Sequence, residues 1–99
     1  MSNAITLMVI YSEQMEECRS FYSRLGLHFE QEKHGTGPEH YAAVLGDGAV
    51  LEIYPANGKP TGRARIGLSL PGSRMVPPLE SGRHVLTDPD GRKIDIHVS

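Results

Sequence analysis

The chain has one cysteine, no tryptophan and only 6% aromatic residues. A lone Cys18 excludes an intrachain disulfide and any zinc site built from several cysteines. Free cysteine behaves as a small apolar residue, and Cys18 is expected inside a helix face. So few aromatics leave no stacking platform for single-stranded nucleic acid. A formal net charge of −2 gives no electrostatic footprint for nucleic acid or an anionic membrane. No apolar run approaches the ~20 residues that a membrane helix needs. The basic and apolar stretches of a secretory signal are also missing. The expected location is therefore the cytoplasm, and neither nucleic acid nor membrane is an expected partner. Residues 1–4 (Met1-Ser2-Asn3-Ala4) read as a cloning remnant outside the folded part.

What is present fits one small domain. A chain of 99 residues buries only about 60–70% of its unfolded surface, so a second copy would help to cover its core, and a homodimer is expected. Residues 6–11 are β-rich and apolar, a first strand. Ser12 is placed to cap a following helix, with Glu13, Glu16 and Glu17 near its positive end. Met15, Cys18, Tyr22 and Leu25 recur at helical spacing, and Gly26 suits the residue just past the helix end; the helix is predicted over 13–25. Strands follow at 27–33, 40–45 and 49–54, with His34-Gly35-Thr36-Gly37-Pro38 as a loop and Gly46-Asp47-Gly48 as a tight turn. The first module, residues 5–55, thus reads β-α-β-β-β. After a Gly/Pro/Asn linker, residues 63–99 read as a shortened repeat: a strand at 64–70, a Pro/Gly/Ser-rich stretch over 71–82 with one short helical turn at most, and a closing hairpin at 84–87 and 92–98. Asp88-Pro89-Asp90-Gly91 is the chemistry of its turn.

Strand alternation separates apolar from charged residues in three segments. Leu51 and Ile53 share one face and Glu52 takes the other. Ile66, Leu68 and Leu70 oppose Arg65, and Ile94, Ile96 and Val98 oppose Asp95. On a single curved sheet, the concave side would then gather Glu52, Arg65 and Asp95. Tyr11 and Tyr54 share that parity; they are candidates to line the groove, with packing at the edge of the core as the favoured alternative.

Four motifs carry a resemblance over nearly the whole chain: Phe21-Tyr22-Ser23-Arg24-Leu25-Gly26-Leu27, Leu51-Glu52-Ile53-Tyr54-Pro55, Ile66-Gly67-Leu68, and Asp88-Pro89-Asp90-Gly91-Arg92-Lys93-Ile94-Asp95. In this order they resemble the vicinal oxygen chelate superfamily of glyoxalases, bleomycin-resistance proteins and extradiol dioxygenases. The 34–42 segment is similar to a bacterial glyoxalase-like branch. The resemblance implies an α+β fold in which paired βαβββ modules form a curved mixed sheet around a groove, here with the second module truncated. Catalytic members of the superfamily that the chain resembles hold a divalent metal from four strands, at positions matching Leu7, Glu52, Arg65 and Asp95. Glu52 fits, and Asp95 is a shorter substitute. Leu7 has no donor atom, and Arg65 is a fixed cation.

Two functional readings follow, beside a bland one in which the groove charges are inert or a structural ion pair and the chain is a structural dimer with no ligand. The first is a protein that binds a small anionic or aromatic molecule in the groove without a complete metal site, through Glu52, Arg65, Asp95, Tyr11 and His97. No metal is favoured under it. The second is a divalent-metal lyase, isomerase or dioxygenase using Ni, Zn, Mn or Fe, through Glu52, Asp95 and the nearby His97 or His40. His40, His97 and Tyr54 are the candidates for acid–base work, since a histidine near its unperturbed pKa is a competent base. His28, His34 and His84 are expected to be solvated or simply hydrogen-bonded. The 34–38 loop lacks the strand-to-helix context of a phosphate loop.

Overall fold

The structure, a computed structural model, describes residues 2–99. Strand β1 (Leu7–Ser12) leads into helix α1 (Met15–Arg24), followed by β2 (Phe29–Glu32), β3 (His40–Val44) and β4 (Val50–Pro55). The second half contributes β5 (Arg65–Leu70), a 3-10 turn at Gly72–Arg74, β6 (Gly82–Thr87) and β7 (Lys93–Val98). The α+β class and the shortened second module are both present. Among the described residues, no helix is long and apolar enough to cross a membrane.

The helix starts later than capping at Ser12 implies. Ser12 Oγ accepts from the backbone N–H of Gln14 at 2.8 Å, and Gln14 occupies the cap position without a side-chain cap bond. Its end is as expected. Gly26 has φ +104°, the Gly26 N–H donates to Ser23 O, and the Leu27 N–H donates to Tyr22 O. This reciprocal pair satisfies two terminal carbonyls and needs a residue that tolerates positive φ.

The strands do not form one sheet. Four make a mixed sheet in the order β1-β4-β3-β2, and three make another in the order β5-β7-β6. In each, the first strand of the module runs parallel to the last (Leu7 opposite Val50, Arg65 opposite Lys93) and the remaining pairs are antiparallel. The apolar faces of both sheets meet around α1. Ile10, Leu51 and Ile53 from the first and Ile66, Ile94 and Ile96 from the second belong to one buried cluster with Cys18 and Tyr22. Each sheet therefore turns its other face outward, and the candidate residues lie on those outer faces.

Candidate functional site

Register places an aromatic and acidic row across the four-stranded sheet. Tyr11 lies opposite Tyr54, and Glu32 lies opposite His40. Ala42 pairs with Glu52, which puts His40 beside Tyr54 on the same face. The rings follow this order: Tyr11 and Tyr54 have centroids 5.8 Å apart, and Tyr54 stacks on His40 at 4.1 Å and 10°. His34, in the loop after β2, sits 5.1 Å from the His40 ring. Partial burial, followed by the nearby Glu52 carboxylate, raises the Tyr54 pKa above its ordinary value. Glu52 and Glu32 line a depression of about 380 Å³ on this sheet, together with His28, Glu30 and Val44.

Arg65 and Asp95 are on the other sheet. Asp95 lies opposite Gly67, next to Arg65 on β5. The guanidinium grips the carboxylate with two hydrogen bonds, Nε to Oδ2 at 2.6 Å and Nη2 to Oδ1 at 2.9 Å. Hydrogen bonding from Arg65 holds the Asp95 carboxyl below the usual range. The pair lines a trough of about 480 Å³ with Ser69, Arg83, His84 and His97. His97 shares the face of Asp95 as expected, and His84 Nε2 meets Glu80 O at 2.7 Å. The single hollow expected for Glu52, Arg65 and Asp95 is not formed, because alternation fixes which face a residue takes but not which sheet its strand joins. The sheets close within their own halves, so Glu52 lines one depression while Arg65 and Asp95 line another. Tyr11 likewise stays with Glu52 on the first sheet.

A third cluster escaped the sequence reading. Arg92 is completely buried. Its Nε donates to Asp88 Oδ2 at 2.7 Å and its Nη2 to Asp90 Oδ2 at 2.8 Å. Asp88 also accepts from the Tyr22 hydroxyl at 2.6 Å and from the backbone N–H groups of Asp90 and Arg92. Burial, then the Asp88 carboxylate, pushes the Tyr22 phenol well above its ordinary value. Burial also pushes the Cys18 thiol up to about 11, so it is no nucleophile at neutral pH. Asp88-Pro89-Asp90-Gly91 is thus a turn whose carboxylates hold a buried cation against the helix. The sequence did carry a signal: Arg92 shares the parity of Ile94, Ile96 and Val98, which puts it on the core face beside two acids.

The comparisons with known proteins agree with this architecture. The profile of the Glyoxalase/Bleomycin resistance protein/Dioxygenase superfamily matches residues 4–87. The chain belongs to that superfamily. No curated protein sequence matches it significantly. Among solved structures, oxidase ChaP-H2 superposes with a TM-score of 0.67 at 12% identity, over 100% of this chain and 95% of that one. The antibiotic-binding protein TnmS3 from Streptomyces sp. CB03234 gives 0.65 at 15% identity, over 98% and 96%. A lactoylglutathione lyase from Agrobacterium tumefaciens gives 0.61 at 14%, over 99% and 95%. Identities this low establish the fold that the superfamily member shares with them and nothing about its chemistry.

The four metal-ligand positions implied by the resemblance do not fit an ion here. Leu7 is 53% exposed and has no donor. Arg65 is a cation, and it occupies both oxygens of Asp95. Of the four, only Glu52 has a carboxylate that no arginine occupies, and it lines the depression on the first sheet.

Proposed function

We infer that this superfamily member binds a small anionic or aromatic molecule, and that the ligand lies in the trough of the three-stranded sheet. The observation that carries the reading is the Arg65–Asp95 grip. Arg65 commits Nε and Nη2 to Asp95, while Nη1 makes no hydrogen bond among the described residues. With Arg83 lining the same trough, two guanidinium groups face one carboxylate, so the surface keeps a positive excess. A guanidinium oriented by a carboxylate partner is well prepared for a planar anion. Gly67, at the centre of β5, leaves the trough floor free of a side chain, and His97 and Ser69 sit paired beside it. The antibiotic-binding relative of the same fold supports binding as a task for this architecture. Glu52 and Tyr11 belong to the separate face of the first sheet and have no part in this trough.

The reading includes a symmetric dimer. Strand β1 is the edge of its sheet and exposes Leu7, Met8 and Tyr11, and unpaired apolar edges are commonly covered by a partner. Light scattering on the eluted protein measures this directly, and a mass of one chain would remove it.

The binding reading is tested by calorimetry with aromatic carboxylates and 2-oxo acids in the presence of EDTA. Saturable heat is expected for at least one member of the series, and it should weaken in Arg83→Ala. Absence of heat across both series would refute the proposal.

A further inference from the structure

The ring of His40 is held in an arrangement that ligand binding in the second-sheet trough leaves unused. Its Nδ1 lies 3.2 Å from Pro38 O. A carbonyl only accepts, so Nδ1 carries the proton, and Nε2 of the neutral ring presents a lone pair. That Nε2 is buried without a hydrogen-bond partner, in a residue 1% exposed. Its neighbours are two carboxylate oxygens, Glu32 Oε1 at 3.4 Å and Glu52 Oε2 at 3.5 Å. Glu52 is half-buried and the Glu32 side chain is 36% exposed, and a buried lone pair that faces two carboxylates is unfavourable unless a positive charge lies among them. The separations are longer than a normal N–H···O bond, about 2.7–3.2 Å. They match the edge of a tetrahedron of donors about 2.0–2.1 Å from a metal ion, which is about 3.4 Å.

We propose that Glu32, His34 and His40 form a site for a divalent transition-metal ion, with Glu52 as a further oxygen donor. The ligand atoms of the first three all lie within 4.8 Å of one another. Glu32 and His40 are direct partners in the β2–β3 ladder. The turn closed by Gly37 N–H to His34 O at 2.9 Å brings His34 back over them. The Pro38 carbonyl and the Tyr54 ring fix the orientation of the His40 imidazole, the kind of outer support that metal-bound histidines require. Two imidazoles with carboxylates suit Zn²⁺, Fe²⁺, Ni²⁺ or Co²⁺ better than Ca²⁺ or Mg²⁺. His34 is 71% exposed, so an ion reaches the site from solvent. The depression beside Glu32 and Glu52 leaves it an open side. The site lies on the four-stranded sheet and shares only Glu52 with the positions that the resemblance assigned.

The test uses chelator-stripped full-length protein, titrated with Zn²⁺, Co²⁺ and Ni²⁺ by calorimetry and followed by thermal unfolding. One ion per chain is expected, with a raised melting temperature and a Co²⁺ absorption spectrum showing nitrogen ligation. His34→Ala and Glu32→Gln, both at accessible side chains and so compatible with folding, should each weaken binding by about tenfold or more. Lack of saturable uptake overturns the proposal. Uptake with undiminished affinity in both variants also overturns it, because the ion would sit elsewhere. The aromatic carboxylate titrations are run in EDTA, so the two proposals fail separately.

Discussion

Arg92 and His40 are both fully buried bases, and each faces two carboxylates. Arg92 meets Asp88 and Asp90 at 2.7 and 2.8 Å in formed hydrogen bonds. His40 stands 3.4 and 3.5 Å from Glu32 and Glu52, and its Nε2 bonds to nothing. The same chemical types are bonded together and closed in one place, where only Arg92 Nη1 lacks a partner, and held apart and open in the other. The closed cluster joins the last turn to α1 through Tyr22 and Cys18, and its role is to hold the two modules together. The open cluster's hydrogen bond from His40 Nδ1 to Pro38 O stays within one short segment and ties no two elements together. Buried polar groups kept apart in this way cost stability, and a site that takes an ion offsets that cost when loaded.

The largest effect that this contrast predicts is at Arg92. Arg92→Met should lose about 3–5 kcal/mol, the usual result of leaving a buried charge without its partner. Urea unfolding reads it, and a loss under about 1 kcal/mol, typical of surface changes, would break the comparison. The double variant Arg92→Met with Asp88→Asn should recover part of the loss, because it also removes the uncompensated carboxylate.

A smaller effect comes from making the same carboxylate-to-amide change in each cluster. Asp88→Asn places an NH2 group among donors that now point at a carboxylate, and about 2 kcal/mol or more should be lost. Glu52→Gln in metal-free protein breaks no hydrogen bond to His40, so stability should stay within about 0.5 kcal/mol of the parent. Equal losses at the two positions would mean that the His40 cluster is closed in solution after all.

These contrasts also separate what was legible in the sequence from what was not. The helix, its glycine end and the facing of Leu51, Ile53, Ile94 and Ile96 follow from periodicities that act over a few residues. Partnership between strands does not. Glu52 and Asp95 have the expected facing, yet they belong to different sheets, because sheet closure is set by long-range packing around α1. The encounter of Glu32 with His40 depends on the β2–β3 register, which the 34–38 loop sets and no local pattern announces. Arg92 was hidden for the opposite reason: its turn residues are so typical of a loop that the core-face parity of the arginine beside them went unread.

A pH effect of intermediate size sharpens the comparison from the closed side. Burial opposes ionisation of Asp90, but hydrogen bonds, including those from Arg92 and Gln14, outweigh it and leave the carboxyl below its usual range. A folded-state pKa below the unfolded value of about 3.9 stabilises the fold fully above that pH and progressively less as pH falls through the folded value. Acid titration of unfolding should therefore show parent stability dropping more steeply below about pH 4 than in Asp90→Asn. Parallel curves would remove Asp90 from the closed cluster's acid response.

The smallest stability effect is expected at Arg65. It makes the same Arg–Asp contact as Arg92, but at side-chain exposures of 64% and 40%, where solvent screens the pair and side-chain ordering offsets its attraction. Arg65→Ala should leave the unfolding midpoint unchanged within error while weakening the binding of any aromatic carboxylate found by titration. Asp95→Ala carries the sharper consequence. It releases the guanidinium from the partner that orients it, so an anionic ligand should bind more weakly than to the parent. If Asp95→Ala instead tightens binding, with the gain shrinking as salt is added, then the carboxylate competes with the ligand for the guanidinium and does not aim it.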